Sequence, residues 1–140
     1  FWHVVYHGIV LYNTFCDTVN ASIKSDKSLP VLNLSGGGRP LSYFYSKFRS
    51  TGINWMGEED LRFGDPAPLR ADVAQIKADY DRYRTVSDLQ YEFMEEFEEL
   101  VAEKVFKVTY SDGSIVVYNL GGEEFAYGGR LCAPYSFIRI

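Results

Sequence analysis

Two histidines sit four residues apart near the start of the chain, at His3 and His7. On a helix that spacing brings two imidazoles together and could share a metal ion. On a strand it leaves their Cα atoms about 13 Å apart, too far for one ion. The surrounding stretch, Phe-Trp-His-Val-Val-Tyr-His-Gly-Ile-Val-Leu-Tyr over residues 1–12, offers no carboxylate to complete a metal site. It reads as a strand buried on both faces, because its apolar run is continuous rather than alternating. No metal is expected, therefore. In that reading His7, just before Gly8, ends a strand and is a candidate ligand contact. Ligands of parallel sheets bind at strand C-terminal ends.

Carboxylates are the next candidates. Glu58-Glu59-Asp60 follows Trp55 in a stretch broken by Gly52, Gly57, Gly64 and Pro66. An aromatic beside carboxylates in a loop is a sugar-facing composition, which makes Trp55 and Glu58 candidate contacts. It is equally the composition of an ordinary solvated loop. The glutamates between Glu92 and Glu99 read as the wet face of an amphipathic helix. The catalytic pair of a glycosidase must straddle a cleft, and neighbouring helix-surface glutamates do not. Ser35-Gly36-Gly37-Gly38-Arg39 lacks the lysine and hydroxyl of a phosphate loop and runs into Pro40, so it reads as a flexible loop. No nucleophile elbow is present. Cys16 and Cys132 have no zinc-type spacing; they read as two buried thiols, with a disulfide as the other option. No cofactor is expected.

The elements that would position these residues follow from periodicity. A short extended piece is expected at 28–32, and a short helix at 40–50, with Leu41, Phe44, Tyr45 and Phe48 on one face. Val73, Ile76, Tyr80 and Tyr83 step by three and four, predicting a helix over 68–83. Ser87-Asp88-Leu89-Gln90 has capping-box form and predicts a second helix over 87–101. After Lys104 the period becomes two. Val105–Tyr110 and 114–119 flank Asp112-Gly113, a hairpin signal that as a two-residue turn pairs Tyr110 with Ile115 and Val108 with Val117. Phe106, Val108, Tyr110, Ile115 and Val117 would then share the core face. Shorter strands are expected at 125–127 and 130–132 around Gly128-Gly129, and a last one at 135–140 after Pro134. The fold class expected is α+β: an N-terminal buried strand and helices, then a C-terminal antiparallel hairpin or sandwich domain. The division falls at 1–103 and 104–140.

Composition bounds the function. The chain has 140 residues, a net charge of −5 and 16% aromatics. The acidic balance excludes a nucleic-acid footprint, which needs clustered positive charge. No apolar run reaches the ~20 residues of a membrane helix. The abrupt apolar start without Met suggests a fragment of something longer.

The segments Val108-Thr109-Tyr110-Ser111-Asp112-Gly113, Ser114 to Asn119, Phe125-Ala126-Tyr127-Gly128-Gly129-Arg130-Leu131 and Pro134-Tyr135-Ser136-Phe137 carry a resemblance. Together they resemble the C-terminal β-domain of large bacterial glycoside-hydrolase-like proteins. Val4-Val5-Tyr6-His7-Gly8 resembles one of the last strands of their (β/α)8 barrel. The resemblance implies the end of a barrel over 1–103 and an accessory β-domain over 104–140. It implies a C-terminal, non-catalytic fragment of a carbohydrate-active protein, secreted or at the cell surface, whose acid and nucleophile lie upstream. His7, Asn13, Trp55 and Glu58 would supply substrate contacts. The rest of the parent chain and carbohydrate are the implied partners. Residues 1–12, a barrel strand without neighbours, would pair with the C-terminal sheet or form a homo-oligomer. The alternative is an independent carbohydrate-binding or protein-interaction module of the cell surface.

Overall fold

The computed structural model describes residues 2–10, 17–18, 27–40, 42–43 and 66–140. Its elements are α1 (Trp2–Tyr6), β1 (Asp17–Thr18), α2 (Leu29–Ser35), β2 (Ser42–Tyr43), α3 (Pro66–Arg84), a 3-10 turn (Ser87–Tyr91), β3 (Met94–Val101), β4 (Val105–Tyr110), β5 (Ile115–Asn119), β6 (Phe125–Tyr127), β7 (Arg130–Cys132) and β8 (Ser136–Arg139). The fold is α+β, with a β-rich C-terminal region. An antiparallel sheet runs in the order β3-β4-β5-β8. β6 and β7 form a separate hairpin, and β1 pairs with β2 in parallel.

The N-terminal segment corrects the expected buried strand. Trp2–Tyr6 is helical, and Trp2 and Tyr6, one helical turn apart, stack with ring centroids 4.0 Å apart. A short apolar run does not by its period distinguish a strand from a helix. Gly8, at φ +83°, ends the helix, and the amides of Ile9 and Val10 both return to Tyr6 O at 3.1 Å. Residues 2–10 are thus not a strand of the sheet; residues 1, 11 and 12 lie outside the described residues. Residues 29–35 are likewise helical rather than extended, with Pro30 in the first turn. Ser42–Tyr43 is a strand where a helix was expected over 40–50; the rest of that stretch, 41 and 44–50, lies outside the described residues.

The helix expected over 68–83 is α3. The one expected over 87–101 divides into the 3-10 turn and strand β3. Gln90 does not reach back as a capping-box residue; its carbonyl oxygen accepts from Tyr83 and Arg39 instead. Glutamate favours helix, but pairing with β4 overrides that weak preference. Phe97 packs on Phe106 across the strands, ring centroids 5.4 Å apart, and Lys107 bridges Glu96 at 3.1 Å and Glu98 at 2.5 Å. Register shifts at Met94/Glu96 and Glu99/Val101 interrupt the two-residue period that would have revealed the strand.

The β4–β5 hairpin exists, one residue out of the expected register. Thr109 faces Ile115, Val108 faces Val116 and Lys107 faces Val117. The turn holds three residues, with Gly113 at φ +85° and the Tyr110 amide bonded to Ser114 O. A one-residue slip reverses the faces of β5. Val116 and Tyr118, not Ile115 and Val117, therefore join Val108 and Tyr110 in the core, with Val31 and Leu34 of α2, Val86, Leu89 and Met94. The opposite face buries Val105 and Val117 beside Cys132, a free thiol whose Sγ–H donates to Val117 O at 3.7 Å. Asn119, fully buried, donates to the carbonyls of Glu123, Cys132 and Ala133 and accepts from the Gly121 amide, tying the β6–β7 hairpin to the sheet. That hairpin turns at Gly128 and Gly129, both at positive φ, and β8 ends the sheet, as expected. Among the described residues, no helix is long and apolar enough to cross a membrane.

Candidate functional site

A cluster of polar side chains lies where α1, the turn after α2, the 3-10 turn and the core face of the sheet meet. His7 lies there, 3% exposed. Its Nδ1 is 2.6 Å from Glu92 O, and a carbonyl can only accept, so Nδ1 carries the proton and donates it. The ring packs edge-on against Tyr110, centroids 5.5 Å apart. On the other side Gly37, at φ +77°, abuts the ring so closely that a Cβ there would overlap Cδ2 and Nε2. Burial holds the imidazole below the usual histidine range; the bond to Glu92 opposes that only in part. His7 is neutral at pH 7 in consequence.

Gly8 brings the chain onto the backbone of Glu92 and Phe93; a Cβ there would lie 2.9 Å from Glu92 O. A side chain at Gly37 would force the α2 turn away from His7, and one at Gly8 would force α1 away from the Glu92–Phe93 backbone. Beyond the imidazole, the Tyr110 and Tyr118 hydroxyls are 3.1 Å apart in the core. Burial first, then the Tyr110 hydroxyl, pushes the Tyr118 phenol well above its ordinary range, so it stays protonated. Gln90 Oε1 accepts from Tyr83 at 2.8 Å and from Arg39 Nε and Nη2 at 3.1 and 3.0 Å. Arg39 in the glycine turn is thus held by an amide side chain within the chain itself.

These groups line a small pocket, partly open to solvent, with about 10 Å³ of room for water, walled by His7, Gly37, Gln90, Tyr110 and Tyr118 with apolar neighbours. That is space for one water molecule. Ligand pockets for organic molecules are typically about 300 Å³ or more. The cluster can orient a proton on His7 and hold a pair of tyrosine hydroxyls, and its interior has room for water only.

His7 therefore lies at the end of a helix, inside the core, and not at an open strand end. Asn13, Trp55 and Glu58 lie outside the described residues, as does Cys16. The glutamates between Glu92 and Glu99 lie along an edge strand. No group of three or more His, Cys, Asp or Glu side chains is placed to hold a metal ion among the described residues.

The residues that carry the resemblance prove to be positions of structural work. Tyr110 is core. Ser111 Oγ accepts from the Phe93 amide at 2.9 Å and donates to the Glu92 carboxylate at 2.6 Å. Asp112 accepts from the Ser114 amide and hydroxyl, each at 2.8 Å, and Gly113 supplies the left-handed turn. Asn119 binds the β6–β7 hairpin, and Phe137 packs on Tyr118, centroids 5.7 Å apart. The network of Arg39, Tyr83 and Gln90 had no local signal in the sequence, since its members are brought together only by the fold. No protein-family model matches the chain, and no curated protein matches it significantly.

Proposed function

We propose that the chain is a non-catalytic, structural module of a carbohydrate-active, glycoside-hydrolase-like bacterial protein of the cell exterior, corresponding to the C-terminal accessory region. The observation that carries this reading is the buried, internally bonded cluster around His7. Its imidazole spends its proton on a backbone carbonyl, and the adjoining cavity holds no more than one water. Such a group anchors chain segments to each other. The Tyr-Ser-Asp-Gly hairpin and its partners support the same reading, because they fix turn and strand geometry. The test is turnover of a panel of aryl glycosides by the chain alone. The expected result is none above the buffer rate, and steady hydrolysis overturns the reading.

A second reading, an independent carbohydrate-binding or protein-interaction module, draws on exposed aromatics. Tyr80 of α3, and Tyr91 and Phe93 before β3, present more than half of their surface to solvent. Aromatic faces stack on sugars and anchor protein interfaces. A glycan array comparing the chain with Trp55→Ala separates the readings. Binding that disappears with Trp55 favours the module, and an empty array favours the structural role.

A further inference from the structure

The buried imidazole has one property that a purely structural anchor does not need: it can take up a second proton. Nδ1–H is committed to Glu92 O, so a new proton must go to Nε2, the nitrogen facing Gly37 and the one-water cavity. No carboxylate lines that cavity among the described residues. The groups that face the ring can be named element by element. His3 is one turn away on α1 itself. Glu92 presents its backbone carbonyl, and its carboxylate is engaged by Ser111 Oγ. β4 and β5 contribute the mutually hydrogen-bonded Tyr110 and Tyr118 hydroxyls. The turn after α2 contributes Arg39 and α3 contributes Tyr83, both donating to Gln90. Arg139 of β8, beside the tyrosine pair, is held by Asp88. Among the described residues, the fixed charges nearest the pocket are thus cationic or already paired.

We propose that His7 is a pH-sensitive latch, whose protonation releases the α1–Gly8 segment from the sheet. A buried imidazolium with no carboxylate partner among the described residues is costly, and undocking returns it to water. α1 can leave without breaking the sheet, because the backbone bonds of residues 7, 9 and 10 return to α1 itself, while it docks through Val4 on the core and through His7 and Gly8 on the Glu92–Phe93 backbone. The sign follows from linkage. A histidine whose docked pKa lies below its free value stabilises docking above the free pKa. That stabilisation is lost as pH falls from the free value of about 6.5 through the docked one.

The test is hydrogen exchange of the full chain by mass spectrometry from about pH 7.5 to about pH 5, corrected for intrinsic exchange. The comparison variant is His7→Asn, whose side-chain amide can still donate to Glu92 O but cannot titrate. In the wild type, exchange over residues 2–10 is expected to rise up to about tenfold per pH unit between the free and docked pKa values, while β4 and β5 stay protected. The variant should show a clearly smaller rise, the remainder coming from His3, which burial also holds below the usual histidine range. Matching profiles for the two proteins, or a flat wild-type profile, overturn the latch. If the variant is already undocked at neutral pH, the wild-type ring ¹⁵N shifts decide. Nε2 gaining its proton over the same range in which residues 2–10 lose protection supports the latch. A doubly protonated His7 with residues 2–10 still protected refutes it.

Discussion

Gly37 and Gly113 both adopt left-handed backbone, yet the structure gives them different weight. Gly113 has open space where a Cβ would stand, whereas a Cβ on Gly37 would strike the His7 ring. Gly113→Ala should cost only the conformational penalty, about 1–2 kcal/mol. Gly37→Ala adds a clash inside a closed core and should cost about 3–4 kcal/mol. Urea unfolding checks the pair; equal losses would show that Gly37 does not press on the imidazole. The glycine run was visible in the sequence as a loop, but its partner was not. Residues 7 and 37 meet only when α1 and α2 pack on the same face of the sheet. His7 stood out in the sequence for its neighbour Gly8. That glycine turns out to end a helix and admit close approach to Glu92, which is a packing role and not a sign of ligand access.

Among the elements, β3 is the most instructive. Its period is hidden by two register shifts, and its glutamates favour helix, so nothing local identified it. The β4–β5 hairpin was legible because Asp112-Gly113 is a local signal. Its register was not, because Asp112 capping Ser114 lengthens the turn by one residue. The β6–β7 turn, where two glycines supply both left-handed positions, and the helix α3, with its long 3.6-residue period, were readable for the same local reasons. β3 is also an edge of the sheet. Phe93 and Phe97 on and beside it are exposed, which on an uncharged edge invites pairing with another chain. Glu95, Glu96, Glu98 and Glu99 oppose that by repulsion between copies. Replacing Glu95 and Glu99 with threonine leaves the Lys107 bridges in place and should raise self-association, read by sedimentation velocity at increasing concentration. Sedimentation identical to the wild type at every concentration would remove this role from the acidic edge.

At the scale of the whole molecule, the described chain is organised by one sheet with chemistry turned inward. One face gathers α1, α2 and the 3-10 turn around His7 and the tyrosine pair. The other carries the β6–β7 hairpin on Asn119. Arg139 joins the last strand to the 3-10 turn by a two-pronged bond to Asp88, and its guanidinium holds that carboxyl below the usual carboxylate range. Polar side chains in this arrangement satisfy one another and connect distant segments, which is the basis of the proposed structural role. The state of His7 tests that claim most directly. Imidazole NMR of the full chain at neutral pH, with and without a panel of mono- and oligosaccharides, should show a slowly exchanging Nδ1–H whose shift the sugars leave unchanged. An Nδ1–H that exchanges freely with water, or an imidazole that moves on adding a sugar, would contradict the account.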